Sequence, residues 1–289
     1  MAILLFPGQG SKSGNLQDLR ESPILQKANE LLGYNVLELT QEQSADTAFS
    51  QPSIFIKSMV LVEEYKKTGV IDLVAGHSMG QYTAAVAAGA LTFEEGLELV
   101  RLRGQFMSEA AKETSGGMVA CIGHRALDSI EPLIGDFRNL YVANYNSSQQ
   151  IVVSGETSEL NNFINICLGR SIRCIKLGVA GAFHSPLMDK ANIKMNEVLE
   201  KTEFKDIDVG FISNKSGDIL LTGERLRNEF IDQIIYPVRW TETMKKIKSI
   251  LQENNMKLYE IGTDILTKLL KVEQEVDVEL YEGAKDVSA

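Results

Sequence analysis

A glycine-flanked serine is the first group in this sequence whose surroundings suit covalent chemistry. Gly76-His77-Ser78-Met79-Gly80 has the G-x-S-x-G pattern of a nucleophile elbow. The apolar residues 73–75 before it predict a strand, and the alanine-rich residues 79–90 predict a helix. A sharp strand-to-helix turn lifts a serine Oγ clear of the sheet, and side chains larger than glycine would collide there. The helix also directs backbone N–H groups at an oxyanion. This context favours a nucleophilic Ser78 over a glycine-rich loop with an incidental serine.

A nucleophilic serine needs a base, and the chain offers only three histidines. His77 adjoins Ser78, and adjacent side chains on such a turn diverge. His124 follows a predicted strand and is typical of a turn residue. His184 lies in a loop at residues 181–188 that enters a predicted helix, and such loops can place a side chain over a distant elbow. Elimination favours His184 as the base, with a satisfied structural histidine as the alternative.

Composition excludes several classes of protein. The 289 residues carry a formal net charge of −10, which is a poor match for nucleic acid. No apolar stretch approaches the roughly 20 residues of a membrane helix. Cys121, Cys167 and Cys174 are widely spaced and contain no CxxC pair, which argues against a disulfide framework or a structural zinc site. We therefore expect three small core side chains, no metal, and a reducing cytosol as the protein's location.

The elements that must position the serine and the histidine alternate along the chain. Strands alternating with helices imply a parallel α/β sheet. Thr92 and Glu95 have the spacing of a capping box, which predicts that a long helix begins there and runs to about residue 111. The other predicted elements are strands at 2–6 and 72–75 and helices at 54–67 and 79–90.

A change of pattern follows Gly116-Gly117. Four short strands and two helices are predicted in the order β-α-β-β-α-β, which is typical of a ferredoxin-like unit. We predict a ferredoxin-like insert at residues 114–182 within an α/β domain formed by residues 1–113 and 183–289. The predicted strands are 118–122, 141–143, 151–154 and 172–177, and the helices are 126–133 and 158–168.

Five ordered segments identify the family that the chain resembles. They are Phe6-Pro-Gly-Gln-Gly-Ser11, Gly76-His-Ser-Met-Gly80, Arg103-Gly-Gln-Phe-Met107, Ala182-Phe-His-Ser-Pro186 and Pro237-Val-Arg-Trp240. Their order and spacing resemble malonyl-CoA:acyl carrier protein transacylases and the free-standing acyltransferases that serve polyketide synthases. The resemblance covers essentially the whole chain and implies an α/β-hydrolase-like core with a ferredoxin-like insert.

The resemblance also implies roles for individual positions. Ser78 would be the acylated nucleophile and His184 the general base and acid. The backbone N–H groups of Gln9 and Met79 would form the oxyanion hole, although an ordinary strand-ending turn is the alternative for Gln9. Gln233 matches the position that orients the histidine through a backbone carbonyl or an amide side chain. From the sequence alone, Gln233 would be taken for a helix-surface residue.

Three further positions concern the acyl group. Arg103 matches a buried arginine whose guanidinium binds the free carboxylate of a malonyl group, the alternative being an exposed helix arginine. Phe183 matches an aromatic residue that accompanies malonyl rather than methylmalonyl specificity in related enzymes. Asn146 matches a polar residue that lines the cleft, and a turn asparagine is nearly as good an interpretation. Gln81 departs from the pattern, because a glutamate commonly follows the elbow.

The implied reaction transfers malonyl from malonyl-CoA to the phosphopantetheine thiol of an acyl carrier protein through a malonyl-serine. It requires no metal or redox cofactor. Two rivals are a thioester hydrolase that uses the same Ser-His site and a non-catalytic carrier-binding protein. Hydrolytic relatives typically lack the arginine at position 103, and a decayed site would lack the serine or the histidine.

Charge is unevenly distributed along the chain. The segment 273–289 has a net charge of −5, whereas the predicted insert is neutral. Because carrier proteins are generally acidic, a local basic patch on the insert would favour docking. Arg170, Arg173 and Lys176 are the candidates, with solvated surface charge as the alternative.

Overall fold

A computed structural model describes residues 1–10, 16–124, 126–170, 172–274 and 276–283. Ser11, Lys12, Arg125 and part of the acidic C-terminal segment lie outside these ranges. The strands are β1 Ala2–Phe6, β2 Leu73–Gly76, β3 Gly116–Ile122, β4 Leu140–Ser147, β5 Gln150–Glu156, β6 Arg173–Lys176, β7 Gly210–Ile212, β8 Ile219–Leu220, β9 Lys257–Ile261 and β10 Glu279–Tyr281. The helices are α1 Pro23–Leu32, α2 Gln41–Ala45, α3 Thr47–Tyr65, α4 Gly80–Ala87, α5 Phe93–Glu113, α6 Ala126–Ile134, α7 Thr157–Gly169, α8 Asp189–Leu199, α9 Gly223–Phe230, α10 Trp240–Glu253 and α11 Ile265–Gln274.

The larger sheet has the strand order β10-β9-β1-β2-β7-β8, and its pairings are parallel except for β8 on β7. All five residues of β1 are buried, as expected for a strand covered on both faces. Phe6 at the end of β1 pairs with Gly76 at the end of β2. The turn after β1 and the elbow after β2 therefore lie side by side at the carboxyl edge of the sheet, where open α/β sheets bind their ligands.

The smaller sheet has the order β4-β5-β3-β6 and is antiparallel throughout. Its strands and helices follow one another as β-α-β-β-α-β, as predicted. One face packs on α6 and α7 through an apolar cluster that includes Val119, Ile130 and Phe163. The fold is therefore a mixed α/β architecture with a mainly parallel sheet and a separate antiparallel sheet, which confirms the predicted fold class. The insert boundaries at 114 and 182 stay a prediction.

Helix α3 and strand β4 extend furthest beyond their predicted bounds. Helix α3 begins at Thr47, seven residues before the predicted start, with the Asp46 side chain accepting from the Ala48 N–H as its N-cap. The prediction rested on the apolar pattern that begins at residue 54, whereas the helix includes the more polar residues before it and contains Pro52 in its second turn. Strand β4 extends to Ser147 through two register shifts, and these polar residues resemble a turn in the sequence.

Two further predictions concern the capping box of α5 and helices that could span a membrane. Helix α5 begins with the predicted capping box, in which Thr92 and Glu95 exchange hydrogen bonds. Among the described residues, no helix combines the length and apolarity that a membrane crossing requires.

Candidate active site

The elbow holds Ser78 in a backbone conformation that few side chains adopt. Ser78 has φ +53°, in the left-handed region. A Cβ on Gly76 would lie 2.1 Å from the Gly80 backbone, and a Cβ on Gly80 would lie 2.2 Å from the Phe6 carbonyl oxygen. Both glycines are therefore required by close backbone approach, as predicted, and they clamp the turn against the end of β1.

His184 reaches Ser78 from the loop before α8. Its Nε2 lies 2.7 Å from Ser78 Oγ, and its Nδ1 lies 3.1 Å and 2.9 Å from the carbonyl oxygens of Gln233 and Tyr236. Carbonyl oxygens only accept hydrogen bonds, so Nδ1 carries the proton and Nε2 presents its lone pair to the serine hydroxyl. His77 points elsewhere, with its Nε2 3.0 Å from Asn146 Oδ1, and His124 lies in an exposed turn.

The two carbonyl oxygens that bind His184 belong to a strained turn. Asp232 has φ +60°, and its carboxylate accepts hydrogen bonds of 2.7 Å from the side chains of Asn192 and Asn196. Both asparagines lie on α8, the helix that follows the His184 loop. Helix α8 thus links the histidine loop to the turn that orients the imidazole.

Arg103 is a buried cation whose hydrogen-bond partners are neutral. Its side chain lies on α5, and the residue is 1% exposed. Nη1 donates to Gln51 Oε1 at 2.8 Å, Nε donates to Gln233 Oε1 at 3.1 Å, and Nη2 donates to Ser78 Oγ at 3.1 Å. Within the described ranges, no carboxylate forms an ion pair with it. A buried guanidinium without a counter-ion is costly, so the site suits an anion that arrives from outside.

The turn after β1 packs directly against the elbow. A Cβ on Gly8 would lie 2.7 Å from the His77 carbonyl oxygen, so this residue must be small for the two turns to touch. The Gln9 side chain accepts a 2.7 Å hydrogen bond from the Thr47 hydroxyl, which anchors the turn to α3. Met79 is fully buried at the N-cap of α4, where the first amides of a helix have no intrahelical acceptor. Gln9 therefore follows a residue that touches the elbow and lines the same cleft as Ser78, while Met79 continues the elbow into α4.

A cleft of about 1120 Å³ opens over these residues and lies between the two sheets. Phe183 and Asn146 line it, and both are mostly buried. Asn146 belongs to β4 and donates to Gln150 Oε1 at 2.8 Å while it contacts His77, so its interpretation as a turn asparagine is wrong. Apolar side chains of the smaller sheet complete the wall, among them Met118, Ala120, Ile122, Val152 and Ile175.

Sequence reasoning missed several buried polar residues of the site. Gln51 lies on the apolar helix α3, donates to Thr47 and accepts from Arg103. Gln81 accepts from Gln233 Nε2 at 2.6 Å and donates to Glu229 Oε1 at 2.7 Å, so a carboxylate from α9 contacts the residue after the elbow. A polar residue within an otherwise apolar helix was the only signal available for Gln51.

The three basic residues considered for carrier docking and the three cysteines lie in the part of the chain that forms the smaller sheet. Arg170, Arg173 and Lys176 are exposed at the end of α7 and on the edge strand β6. The three cysteines, predicted as small core side chains, lie together with their sulfur atoms within 4.8 Å of one another. The sequence spacing gave no sign of this cluster, because the antiparallel pairing of β3 with β6 creates it.

A serine on an elbow, hydrogen-bonded to a histidine at the base of a cleft, is the arrangement of enzymes that transfer acyl groups through a covalent intermediate. The comparisons agree with this class. Residues 17–258 match the model of the acyl transferase domain, and the chain belongs to that family.

The similarity to known proteins extends over nearly the whole length of the chain. It is 35% identical over 283 residues to the malonyl CoA-acyl carrier protein transacylase of Bacillus subtilis, covering 92% of this chain and 88% of that one. It is 32% identical to the B. subtilis polyketide biosynthesis malonyl CoA-acyl carrier protein transacylase PksC, covering 93% and 96%. The crystal structure of an acyl carrier protein S-malonyltransferase from Vibrio cholerae superposes with a TM-score of 0.88 at 28% identity, covering 99% and 98%.

We predict that His184 stays neutral well below neutral pH. Burial, followed by the charge of Arg103, lowers the pKa of His184 from 6.5 to about 3. The folded pKa lies below the unfolded one, so the stability contributed by neutral His184 is present above pH 6.5 and is lost as the pH falls towards 3. Ring NMR should show the neutral, Nδ1-protonated tautomer from pH 7 down to pH 5, with His184→Asn identifying the signal. A His184 protonation midpoint between pH 5 and 7 would contradict this burial argument.

Proposed function

We propose that this protein transfers a malonyl group from malonyl-CoA to the phosphopantetheine thiol of an acyl carrier protein, through a malonyl-serine at Ser78. The observation that carries the proposal is the buried guanidinium of Arg103, which lies 3.1 Å from Ser78 Oγ and lacks a carboxylate partner among the described residues. A malonyl group bound with its thioester carbonyl at Ser78 would supply this carboxylate next to the Arg103 guanidinium. The names of both B. subtilis relatives support the same reaction.

The first half-reaction acylates the serine. Arg103 binds the malonyl carboxylate, and Ser78 Oγ attacks the thioester carbonyl carbon while His184 Nε2 accepts the hydroxyl proton. The tetrahedral oxyanion lies between the N–H groups of Gln9 and Met79. The C–S bond then breaks, and the CoA sulfur leaves with the proton from His184. Two backbone carbonyls accept the Nδ1–H throughout and stabilise the transient imidazolium.

The second half-reaction returns the acyl group to a thiol. The phosphopantetheine thiol of the carrier enters the same cleft and loses its proton to His184, and its sulfur attacks the malonyl-serine carbonyl. The ester bond breaks, and Ser78 Oγ regains the proton from His184. This chemistry requires no metal or redox cofactor.

Fatty-acid and polyketide assembly both use such a step, and relatives of both kinds are found. We place the enzyme in the cytoplasm, where such carriers act.

Selectivity follows from what surrounds the acyl group. An acyl group without a carboxylate would leave Arg103 unpaired, at a cost of about 3–5 kcal/mol, which exceeds a hundredfold in rate. Phe183 is 5% exposed in the cleft and fills space that an α-methyl group would need. One methyl is worth only about 1–3 kcal/mol, so we expect discrimination against methylmalonyl to be weaker than discrimination against acetyl.

Carrier docking has a separate candidate surface. Arg170, Arg173 and Lys176 are exposed near the edge of the smaller sheet, and they would attract an acidic carrier. Lys176 donates to Asn161 at 2.8 Å, which holds its ammonium near α7. We propose that these three cations increase the association rate with the carrier and do not affect loading from malonyl-CoA.

We predict that radiolabelled malonyl-CoA modifies Ser78 covalently. The wild-type protein should yield a single labelled peptide that contains Ser78, and Ser78→Ala should yield none, because the proposed intermediate is an ester of that oxygen. Ser53→Ala is the matched control, since Ser53 also lines the cleft and should keep full labelling. Full transfer activity in unlabelled Ser78→Ala would exclude the mechanism. Counting free malonate against malonyl-carrier in the same reactions separates a transferase from a hydrolase.

We predict that Arg103→Ala lowers the malonyl-over-acetyl ratio of kcat/KM by at least about 100-fold while some acetyl loading persists. Arg101→Ala is the control on the same helix, because Arg101 is partly exposed and pairs with Glu98. Competition between the two CoA thioesters, measured by intact-protein mass spectrometry, gives the ratio directly. An unchanged ratio in Arg103→Ala would show that the carboxylate binds elsewhere.

A further inference from the structure

Glu229 lies outside the proposed Ser-His-Arg machinery but is bonded to it. It is 5% exposed on α9. Its Oε1 accepts from Gln81 Nε2 at 2.7 Å and from the Asn214 N–H at 2.8 Å, and its Oε2 accepts from the Ser213 hydroxyl at 2.7 Å. The Asn214 side chain in turn accepts from the Ser78 N–H at 3.1 Å. The carboxylate therefore contacts two residues that hold the elbow.

Both oxygens of Glu229 face donors that cannot become acceptors. The Asn214 partner of Oε1 is a backbone N–H. The Ser213 partner of Oε2 already accepts backbone hydrogen bonds from Lys215 and Ser216, at 3.0 Å and 3.1 Å, so both of its lone pairs are used. An amide NH₂ at either oxygen position would face a donor. The position requires a group that only accepts hydrogen bonds.

A group that only accepts hydrogen bonds determines which end of a neighbouring side-chain amide, the NH₂ group or the oxygen, faces it. Gln81 must turn its NH₂ group to Glu229 and its carbonyl oxygen to Gln233. Gln233 must then turn its NH₂ group to Gln81 and to the Ser78 carbonyl oxygen, at 2.6 Å and 3.1 Å, which leaves its own side-chain oxygen for Arg103 Nε. Reversal of the Gln233 amide would place its NH₂ group against the Arg103 Nε–H. Reversal of the Gln81 amide would place its carbonyl oxygen against the Glu229 carboxylate and its NH₂ group against that of Gln233.

We propose that Glu229 is a positioning residue whose carboxylate sets the direction of the Gln81–Gln233 amide chain and so orients Arg103 and Ser78. The inference rests on the proposed malonyl transfer. It also accounts for Gln81, because the carboxylate that commonly follows the elbow is supplied here from α9.

The test measures single-turnover acylation of Ser78 by malonyl-CoA, together with KM and the thermal midpoint. Glu229→Gln should lower the acylation rate by roughly 10- to 100-fold, as misplacement of reacting groups does. The double variant Gln81→Glu/Glu229→Gln restores an acceptor-only group beside Gln233, so it should recover the part of the loss that comes from the direction of the Gln233 amide, although the new amide at position 229 still faces the Asn214 and Ser213 donors. Glu224→Gln, the same change at an exposed carboxylate on α9, should leave the acylation rate unchanged.

A Glu229→Gln rate equal to that of the wild type would overturn the inference, as would a loss that follows the thermal midpoint and is not recovered in the double variant. Failure of the wild-type protein to become acylated by malonyl-CoA would instead overturn the proposed function. The two failures are therefore distinguishable in one set of measurements.

A second inference comes from the thiol cluster in the smaller subdomain. Cys121 and Cys174 are direct cross-strand partners, with sulfur atoms 3.8 Å apart, and Cys167 reaches them from α7. All three sulfur atoms lie within 4.8 Å of one another, and Cys121 and Cys167 are fully buried. Neighbouring residues on the same strands, such as Ala120 and Ile175, point to the opposite face and line the active-site cleft.

The 3.8 Å separation of the Cys121 and Cys174 sulfur atoms matches that of two sulfurs on one thiolate-bound metal, and Cys167 lies close enough to join them after a small adjustment. With metal–sulfur bonds of about 2.3 Å, two sulfurs lie about 3.8 Å apart in a tetrahedral site and about 4.0 Å apart in a trigonal one. Soft sulfur ligands select ions such as Cu(I) and Zn(II) over Mg(II).

We infer that Cys121, Cys167 and Cys174 bind one soft, thiophilic metal ion per chain, with loss of the thiol protons on binding. Cys174 is the partly exposed member and provides the route of entry.

The probe is Cd(II), titrated into the reduced full-length protein against a competing chelator, with Mg(II) as the comparison. One Cd(II) per chain should bind, with sulfur-to-metal ultraviolet absorption and release of protons. Cys167→Val, which keeps the packing apolar, should weaken binding by at least about 100-fold, beyond the 10–100-fold effect of losing a residue that only orients a ligand. Val153→Ala removes bulk from the same core cluster and should keep the metal. No binding against the chelator, or equal affinity in Cys167→Val, would overturn the inference.

Discussion

A buried positive charge with neutral partners is the constraint on which the rest of this site depends. Arg103 cannot be deprotonated in ordinary conditions, and its desolvation opposes folding until hydrogen bonds compensate for it. Gln51 and Gln233 provide two of these bonds and Ser78 the third. Each partner is held by another buried polar group, so the guanidinium is fixed in position. The hydrogen-bond partners of Arg103 are neutral and leave its charge uncompensated, and in the proposed reaction this charge selects an acyl group that carries a carboxylate.

Strained backbone conformations hold the proposed nucleophile and base, Ser78 and His184, in position. Ser78, His184 and Asp232 all have positive φ, which costs of order 1–3 kcal/mol for each non-glycine residue. The larger sheet can hold such strain because β1 and β2 are buried and paired in register up to Phe6 and Gly76. Asn192 and Asn196 hold the Asp232 turn from α8. The three strained residues are therefore fixed by different elements and converge on a single imidazole–hydroxyl pair.

Features of this site that depend on residues close together in the sequence could be predicted, and features that depend on residues far apart in the sequence could not. The elbow could be predicted because a pattern of glycines and a strand–helix context lie within about twenty residues of Ser78. The ferredoxin-like order of elements was also local and is seen in the smaller sheet. Glu229 and Gln51 could not be predicted, because each takes its meaning from a contact across more than fifty residues. The thiol cluster was missed for the same reason, since strand pairing and not spacing brings the sulfurs together.

The same positive charge links selectivity to the strength of the base. Arg103 is one of the groups that lower the pKa of His184, because a nearby cation disfavours the imidazolium. In the proposed reaction a malonyl carboxylate bound to Arg103 would offset that charge within the cleft. The imidazole would then become a stronger base at the moment a correct substrate is bound. An acetyl group would leave the charge uncompensated and the base weak. Discrimination would thus act on proton transfer as well as on binding, which raises the selectivity available from a single buried arginine.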